Sequence, residues 1–272
     1  MSFGDLEKLN SKSREIRKML IEEIHNLGKG HYGGSLSIVD ILVLLYNVEM
    51  NIDVTNPGME NRDRLVLSKG HAGPALYAVL ADKGYISKED LNTLNKENTC
   101  LPSHCDMNKT TGVDMTTGSL GQGISCAVGM AKASKIKNDN CYIYCIVGDG
   151  ECNEGQVWEA AMAASSSGLN NLIVFIDYNK MQLDGKLIDI LDMGDMHKKW
   201  ESFGFYVESV DGHNFEEMHN AICNGKKQYK PIAIVLNTVK GKGVSIIENA
   251  GYKNHSMGLT DDDFKKSIVE LL

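Results

Sequence analysis

The sequence predicts an α/β fold in which a parallel β-sheet is flanked by helices on both faces. From about residue 140 onward, short apolar runs alternate with helical patterns, which is typical of βαβ units. The apolar runs are continuous rather than alternating, as expected of strands that are buried on both faces. The 272 residues can bury a large core and contain no internal repeat or low-complexity linker. We therefore expect one domain over residues 1–272, with a helical N-terminal portion.

The N-terminal portion is expected to open with a helix over residues 1–27. Apolar residues follow one face of this segment, and Gly28 is a favourable helix end. A glycine-rich loop at 28–34 then leads into an apolar segment, 36–46, that is long enough for a buried helix. The later segments are loops at 50–71 and 98–118, a short extended run at 64–68, and helices at 74–83, 88–95 and 119–137.

The C-terminal portion is expected to supply the sheet. Its strand candidates are residues 141–147, 172–177, 205–210 and 232–237, and its helix candidates are residues 154–167, 195–203 and 214–225. Parallel sheets of this kind bind ligands beyond the carboxyl ends of their strands. The loops that follow Val147, Asp177, Val210 and Asn237 are therefore where a site is expected.

Composition and charge exclude several classes of protein. No run of eighteen apolar residues occurs, and the first residues are charged throughout, so neither a membrane span nor a secretory signal is expected. The net charge of −8 does not favour nucleic acid as a partner. The 7 cysteines are odd in number and form no CxxC pair, which favours a reducing cytoplasm over a disulfide framework.

A metal site is predicted where the first two strands of the C-terminal portion end. Asp149 lies in a GDG loop after the first strand, and Asn179 and Met181 follow the second. Adjacent parallel strands would bring the carboxylate, the amide and nearby backbone carbonyls together, a donor set that suits Mg²⁺ or Ca²⁺. A lone GDG is more often only a turn, and an asparagine after a strand can be only a helix cap. The occurrence of both elements, each directly after a strand, favours a metal site over a simple turn and a helix cap.

The spacing of GDG and Asn179 is the signature of thiamine-diphosphate enzymes, and the chain resembles the transketolase family in particular. The similar segments, in family order, are GHYGG at 30–34, LSKGHA at 67–72, LPSH at 101–104, TGSLGQG at 117–123, EGQVWEA at 154–160, and KGKG at 240–243 with His255. Tyr32 replaces the usual proline, and the residues around His255 also depart from the family pattern. The resemblance implies thiamine diphosphate and Mg²⁺ or Ca²⁺ as cofactors.

The resemblance also implies roles for individual residues. Catalytic roles fall to His31, His71, His104, His255 and Glu154, because the histidines would contact substrate oxygens and the family's equivalent of Glu154 lies near the partner's activating glutamate. Contacts to the cofactor are implied for Lys69, His71, Gly118, Ser119, Leu120, Asp149, Gly150, Glu154, Asn179, Met181, Lys240 and His255. Any one of these alone could be an ordinary loop histidine, an exposed lysine or a helix cap.

The implied activity is transfer of a two-carbon ketol unit from a ketose to an aldose. Transketolase chains are more than twice as long as this one, and their second domain holds the pyrimidine ring of the cofactor. We therefore expect the partner to be a second, C-terminal subunit, in an α₂β₂ assembly with sugar phosphates as substrates. Two alternatives are the alpha subunit of a thiamine-dependent 2-oxoacid dehydrogenase and an inactive thiamine-diphosphate-binding partner.

Overall fold

A five-stranded, all-parallel sheet forms the centre of the molecule in a computed structural model that describes residues 1–272. The strands are β1 Arg64–Leu67, β2 Ile143–Gly148, β3 Leu172–Tyr178, β4 Tyr206–Asp211 and β5 Ile232–Asn237. Their spatial order is β1-β2-β3-β5-β4. The predicted parallel α/β architecture is thus confirmed.

The edge strand β1 was only partly anticipated by the sequence. Residues 64–68 are predicted as a short extended run within a loop, whereas Arg64 pairs with Ile143 and the strand continues along β2. A segment of four residues that begins with a charged one is too short to show a hydrophobic periodicity, so an edge strand cannot be distinguished from an extended loop. The strand matters because its carboxyl end leads directly into the segment that contains Lys69 and His71.

Helices cover both faces of the sheet. The longer helices are α1 Phe3–Leu27, α4 Gly73–Lys83, α5 Gln122–Lys137, α6 Gly155–Ser166, α8 Met196–Ser202, α9 Phe215–Gly225 and α11 Asp261–Glu270; the shorter ones are α2 Tyr32–Leu36, α3 Val39–Leu44, α7 Leu187–Ile190 and α10 Ser245–Asn249. None of them is both long and apolar enough to cross a membrane.

Alternate residues of each central strand enter opposite cores. Along β3, Ile173 and Phe175 pack into a core of 44 buried residues with the N-terminal helices. Val174 and Ile176 enter a second core of 23 buried residues, to which helices α5 and α6 contribute. This period of two explains why the strands are apolar at every position.

Several predicted boundaries in the N-terminal half differ from the structure, and the helix expected at 88–95 is only a 3-10 turn, Glu89–Thr93. The glycine-rich segment 28–34 is not loop throughout, because its second half begins α2 at Tyr32. The apolar segment 36–46 is divided between α2 and α3 and ends in a π-turn, Leu45–Glu49. The helix expected from residue 119 begins at Gln122 after Gly121, whose φ of 81° favours glycine.

Tyr32 in place of proline has a simple structural explanation. It is the first residue of α2, where proline is tolerated because its missing N–H has no partner within the helix. A tyrosine therefore fits the same backbone. Gly33, the next residue, is needed for close packing, since a Cβ there would lie 2.0 Å from Oδ1 of Asn254.

Candidate functional site

A cleft of about 270 Å³ opens at the carboxyl edge of the sheet, where the sequence places the motif loops. Strand ends, the loop before α5 and the segment around α2 meet there. Its lining residues are His31, Gly34, Lys69, His71, His104, Gly118, Leu120, Gly148, Asp149, Gly150, Glu151, Asp177, Asn179, Met181, Gln182, Leu183, Lys240 and His255. Residues from every predicted motif except the 154–160 segment are therefore brought together.

Four histidines form one cluster on a wall of the cleft. The ring of His31 lies 5.4 Å from that of His71, 5.9 Å from that of His104 and 5.3 Å from that of His255, measured between centroids. The rings of His71 and His255 are 5.0 Å apart. At this spacing, an oxygen atom placed between two rings can be contacted by both, so the cluster can bind neighbouring hydroxyl groups of one small polyol.

The histidines of the cluster are held in the neutral form. Burial lowers the pKa of His71 well below its ordinary value, and the nearby Lys69 and the other rings add to this effect. Burial, with Lys240 as the next cause, lowers the pKa of His255 to about 4. The pKa values of His31 and His104 are also lowered, mainly by burial. Neutral imidazoles can either donate or accept a proton at each reacting oxygen.

Asp149 and Asn179 lie side by side because β2 and β3 are paired in register, with Gly148 opposite Asp177. One carboxylate oxygen of Asp149 accepts from the backbone N–H of Gly150 at 2.7 Å, and the other accepts from that of Lys180 at 2.5 Å. Burial, and then the negative charge of Asp177, raise the pKa of Asp149 to about 7. A buried carboxylate of this kind would be stabilised by a bound cation.

The orientation of the Asn179 side chain is fixed by a buried ion pair between Lys69 and Asp177. Lys69 donates to Oδ2 of Asp177 at 2.7 Å and to the carbonyl of Gly34 at 2.6 Å. The amide of Asn179 donates to the same Asp177 oxygen at 2.8 Å, which leaves its own oxygen to accept from the N–H of Met181 at 3.1 Å. The orientation of Asn179 is therefore fixed by Asp177, which is fully buried.

Lys240 brings a positive charge to the same end of the cleft. Its ammonium lies 3.3 Å from the carbonyl of Met181 and 3.4 Å from that of Gln182. Burial lowers its pKa to about 8, so it is still mostly protonated at pH 7. The cation is positioned to face an anionic ligand.

Glu151 is a cleft residue that the sequence reasoning missed. Its carboxylate accepts from the hydroxyl of Ser68 at 2.5 Å and from the backbone N–H groups of Gly121 and Gly148 at 2.9 and 3.0 Å. It therefore ties together the loop after β1, the loop before α5 and the end of β2. The available signal was a carboxylate immediately after the GDG loop.

Two residues with expected site roles lie outside the lining. Glu154 is an exposed residue that precedes α6, and its side chain makes no hydrogen bond. Ser119 is also exposed, and it does not cap α5, whose N-cap is Gly121. Gly118 and Leu120, on either side of Ser119, do line the cleft. The site roles expected of Glu154 and Ser119 therefore stay predictions.

The donor set of the cleft fits a divalent cation with a diphosphate. A buried carboxylate, an amide and a backbone carbonyl are hard oxygen ligands, and Lys69 and Lys240 supply positive charge beside them. The seven cysteines are free, and none lines this cleft. A thiolate-preferring metal is therefore not expected in this place.

A family model for the transketolase thiamine-diphosphate-binding domain matches residues 10–271. The chain is 53% identical over 264 residues to the 6-deoxy-6-sulfo-D-fructose transketolase subunit SqwG of Clostridium sp. (strain MSTE9), covering 97% of this chain and 96% of that one. It is 37% identical over 263 residues to an apulose-4-phosphate transketolase subunit from Actinobacillus succinogenes, covering 96% and 94% of the two chains.

Single-chain transketolases match over part of their length only. Human transketolase is 36% identical over 245 residues, which are 90% of this chain and 39% of the human protein. The crystal structure of Campylobacter jejuni transketolase superposes with a TM-score of 0.91 at 32% identity, covering 100% of this chain and 43% of that one. The chain thus spans about two fifths of these enzymes and nearly all of the subunit-type relatives.

Proposed function

The chain belongs to the transketolase family as an N-terminal, thiamine-diphosphate-binding subunit, and we propose that residues 1–272 act as one unit with a second subunit in ketol transfer. The observation that carries this function is the union, in one cleft, of four clustered histidines with the Asp149–Asn179 pair. A 2-oxoacid dehydrogenase is disfavoured by the family match. An inactive binder is disfavoured because the residues that would contact substrate line one cleft.

The metal and the diphosphate would bind at the strand ends. Asp149, Asn179 and the carbonyl of Met181 are the proposed ligands of Mg²⁺ or Ca²⁺, with phosphate oxygens and water completing the coordination. Lys240 would balance the phosphate charge, and Lys69, which is paired with Asp177, would hold Asn179 in place through that carboxylate. Gly150, Gly118 and Leu120 would bring backbone groups close to the cofactor.

The cofactor supplies an electron sink for carbon–carbon bond cleavage and formation. The histidines of this chain would bind and orient the ketose and move protons at its oxygens. His104, the most exposed of the four, is proposed to contact the donor's hydroxyls, and His31 and His255 the oxygens nearer the reacting carbon. His71 lies deeper, where it would orient both donor and cofactor.

A second subunit is proposed to complete the site. It would hold the pyrimidine ring and contribute the carboxylate that activates it, and the exposed Glu154 and Glu159 are proposed to lie at its interface. Two relatives that match over nearly their full length are themselves called subunits. Two copies of each chain, in closed twofold symmetry, are the expected assembly. The free cysteines favour the cytoplasm as its location.

The donor is proposed to be a ketose with a strongly anionic terminus, and a sulfonate is favoured. The relative with 53% identity acts on a sulfonated fructose, whereas that with 37% identity acts on a phosphorylated apulose. The test is ketol transfer by the reconstituted complex with 6-deoxy-6-sulfofructose or fructose 6-phosphate as donor and one common aldose phosphate as acceptor. A higher kcat/KM for the sulfonated donor is expected. Absence of transfer from both ketoses would refute the function, and preference for the phosphate would refute only the donor.

A further inference from the structure

We propose that Glu49, His219 and Cys223 form a second metal site that binds Zn²⁺, at the opposite edge of the sheet from the cleft. The three side chains come from two separate segments. Glu49 ends the π-turn Leu45–Glu49, and the other two lie four residues apart on α9, so they project from the same face of that helix. One ligand atom from each lies within 4.8 Å of those from the other two.

The spacing of the sulfur and the imidazole is close to that required by tetrahedral zinc. Zn–S and Zn–N bonds of about 2.3 and 2.05 Å at a tetrahedral angle place the two ligand atoms about 3.5 Å apart. Sγ of Cys223 lies 3.6 Å from Nε2 of His219 and 3.9 Å from Nδ1. Because the ion can bind only one of these nitrogens and Glu49 faces Nδ1, the sulfur must approach Nδ1 by about 0.4 Å.

The carboxylate needs only a small adjustment. Oε1 of Glu49 lies 2.5 Å from Nδ1 of His219, so that a hydrogen-bond proton lies between them. A zinc ion would take the place of that proton and widen the separation to about 3.3 Å. The thiol proton would also be released to solvent, because the thiolate is the ligand.

Lys226 orients the glutamate without competing for the ligand atom. Its ammonium lies 3.0 Å from Oε2, the oxygen that faces away from His219, and over the rings of Tyr142 and Tyr144 at 5.0 and 5.7 Å. Metal-bound carboxylates are commonly held by such a second partner. The Glu49 side chain is only 4% exposed, whereas that of His219 is 26% exposed. The site is thus anchored in the protein and open to solvent on one side.

The donor set selects a borderline or soft cation. A thiolate, an imidazole and a carboxylate suit Zn²⁺, whereas Mg²⁺ and Ca²⁺ require oxygen ligands. Three protein ligands leave a fourth position for water. The site lies beside the amino end of β2, about 20 Å along that strand from Asp149, so it would join the π-turn to α9 rather than take part in the cleft chemistry.

The test uses Co²⁺ as a spectroscopic substitute for Zn²⁺ on the full chain, with excess Mg²⁺ to saturate oxygen sites. One equivalent of Co²⁺ is expected to produce thiolate-to-metal charge-transfer absorption, and Zn²⁺ should displace it. Cys223→Ser should abolish the absorption, His219→Gln and Glu49→Gln should weaken binding at least about tenfold, and the control Cys100→Ser should leave it unchanged. Circular dichroism checks that each variant folds.

Three results would overturn the proposal. The first is absence of the absorption in the unsubstituted chain, and the second is its survival in Cys223→Ser. The third is its loss only on Cys223→Ser, with both His219→Gln and Glu49→Gln unchanged, since a lone thiol would then be the sole ligand. As an independent readout, Zn²⁺ should raise the melting temperature of the unsubstituted chain and not that of Cys223→Ser.

Discussion

Replacing Lys69 by methionine should destabilise the chain far more than replacing an ordinary surface lysine. The side chains of Lys69 and Asp177 are 2% and 0% exposed, so the remaining carboxylate could not be solvated by water. Three neutral donors would still face it, from Ser37, Asn179 and Thr238. Breaking a buried pair by removing one partner typically costs about 3–5 kcal/mol, and that is the loss expected for Lys69→Met.

A double-mutant cycle separates the pair from the general effect of substitution. Asp177→Asn alone should also lower the free energy of unfolding, because it leaves the ammonium facing only the carbonyl of Gly34. In the double variant no charge is left unpaired, so we expect a coupling energy of about 2–3 kcal/mol. Urea unfolding followed by circular dichroism supplies the four free energies.

The matched control is the more exposed pair of Lys12 and Asp82, whose side chains are 30% and 9% exposed at a distance of 2.7 Å. The same cycle, with Lys12→Met and Asp82→Asn, should give a coupling below about 1 kcal/mol. Losses for Lys69→Met and Asp177→Asn that simply add in the double variant would refute the reasoning, as would equal couplings for the two pairs.

Three further outcomes are expected. Asp149→Ala should abolish metal-dependent binding of thiamine diphosphate to the assembled complex, and unchanged affinity by calorimetry would argue against the metal ligand. His104→Ala should lower kcat by roughly 10²–10⁴-fold with little change in cofactor affinity; normal turnover with weakened cofactor binding would mean that its role is misplaced. Burial opposes ionisation of Asp40, but Arg17 and His213 outweigh it and depress its pKa. The stability that Asp40 contributes is therefore full above its unfolded pKa of about 3.9 and is lost as pH falls below it. The difference in unfolding free energy between the unsubstituted chain and Asp40→Asn should shrink from pH 5 to pH 3, and a difference that stays constant would contradict this.

The central strands and most of the residues that line the cleft could be predicted from the sequence. Strands β2, β3 and β5 are buried on both faces, so their apolar character is continuous and easily recognised. The segments between them begin and end at glycine and polar residues, which places the motif loops at the carboxyl edge. Consecutive strands are usually neighbours, which is the case for the pair β2 and β3 that joins Asp149 to Asn179, but not for β3 and β4.

The remaining features depend on contacts between distant segments. Glu151 is important through bonds to Ser68 and Gly121, which are 83 and 30 residues away in sequence. Similarly, the motif predicts Lys69 as a cofactor residue, and its ion pair with Asp177, 108 residues away, is visible only in the structure. No local pattern reveals such pairs. The exposure of Glu154 is likewise a matter of packing, because a glutamate before a helix can face either a cleft or solvent.

The most direct measurement of the central claim is a titration of this chain with the subunit that carries the pyrimidine-binding domain, followed by the rate of ketol transfer. Thiamine diphosphate, Mg²⁺, donor and acceptor are held at saturation, and light scattering after size exclusion gives the mass of the assembly. The account predicts no transfer by this chain alone, a rate that rises until the two chains are equimolar, and a mass of two copies of each. Full activity from this chain without any second polypeptide would contradict it.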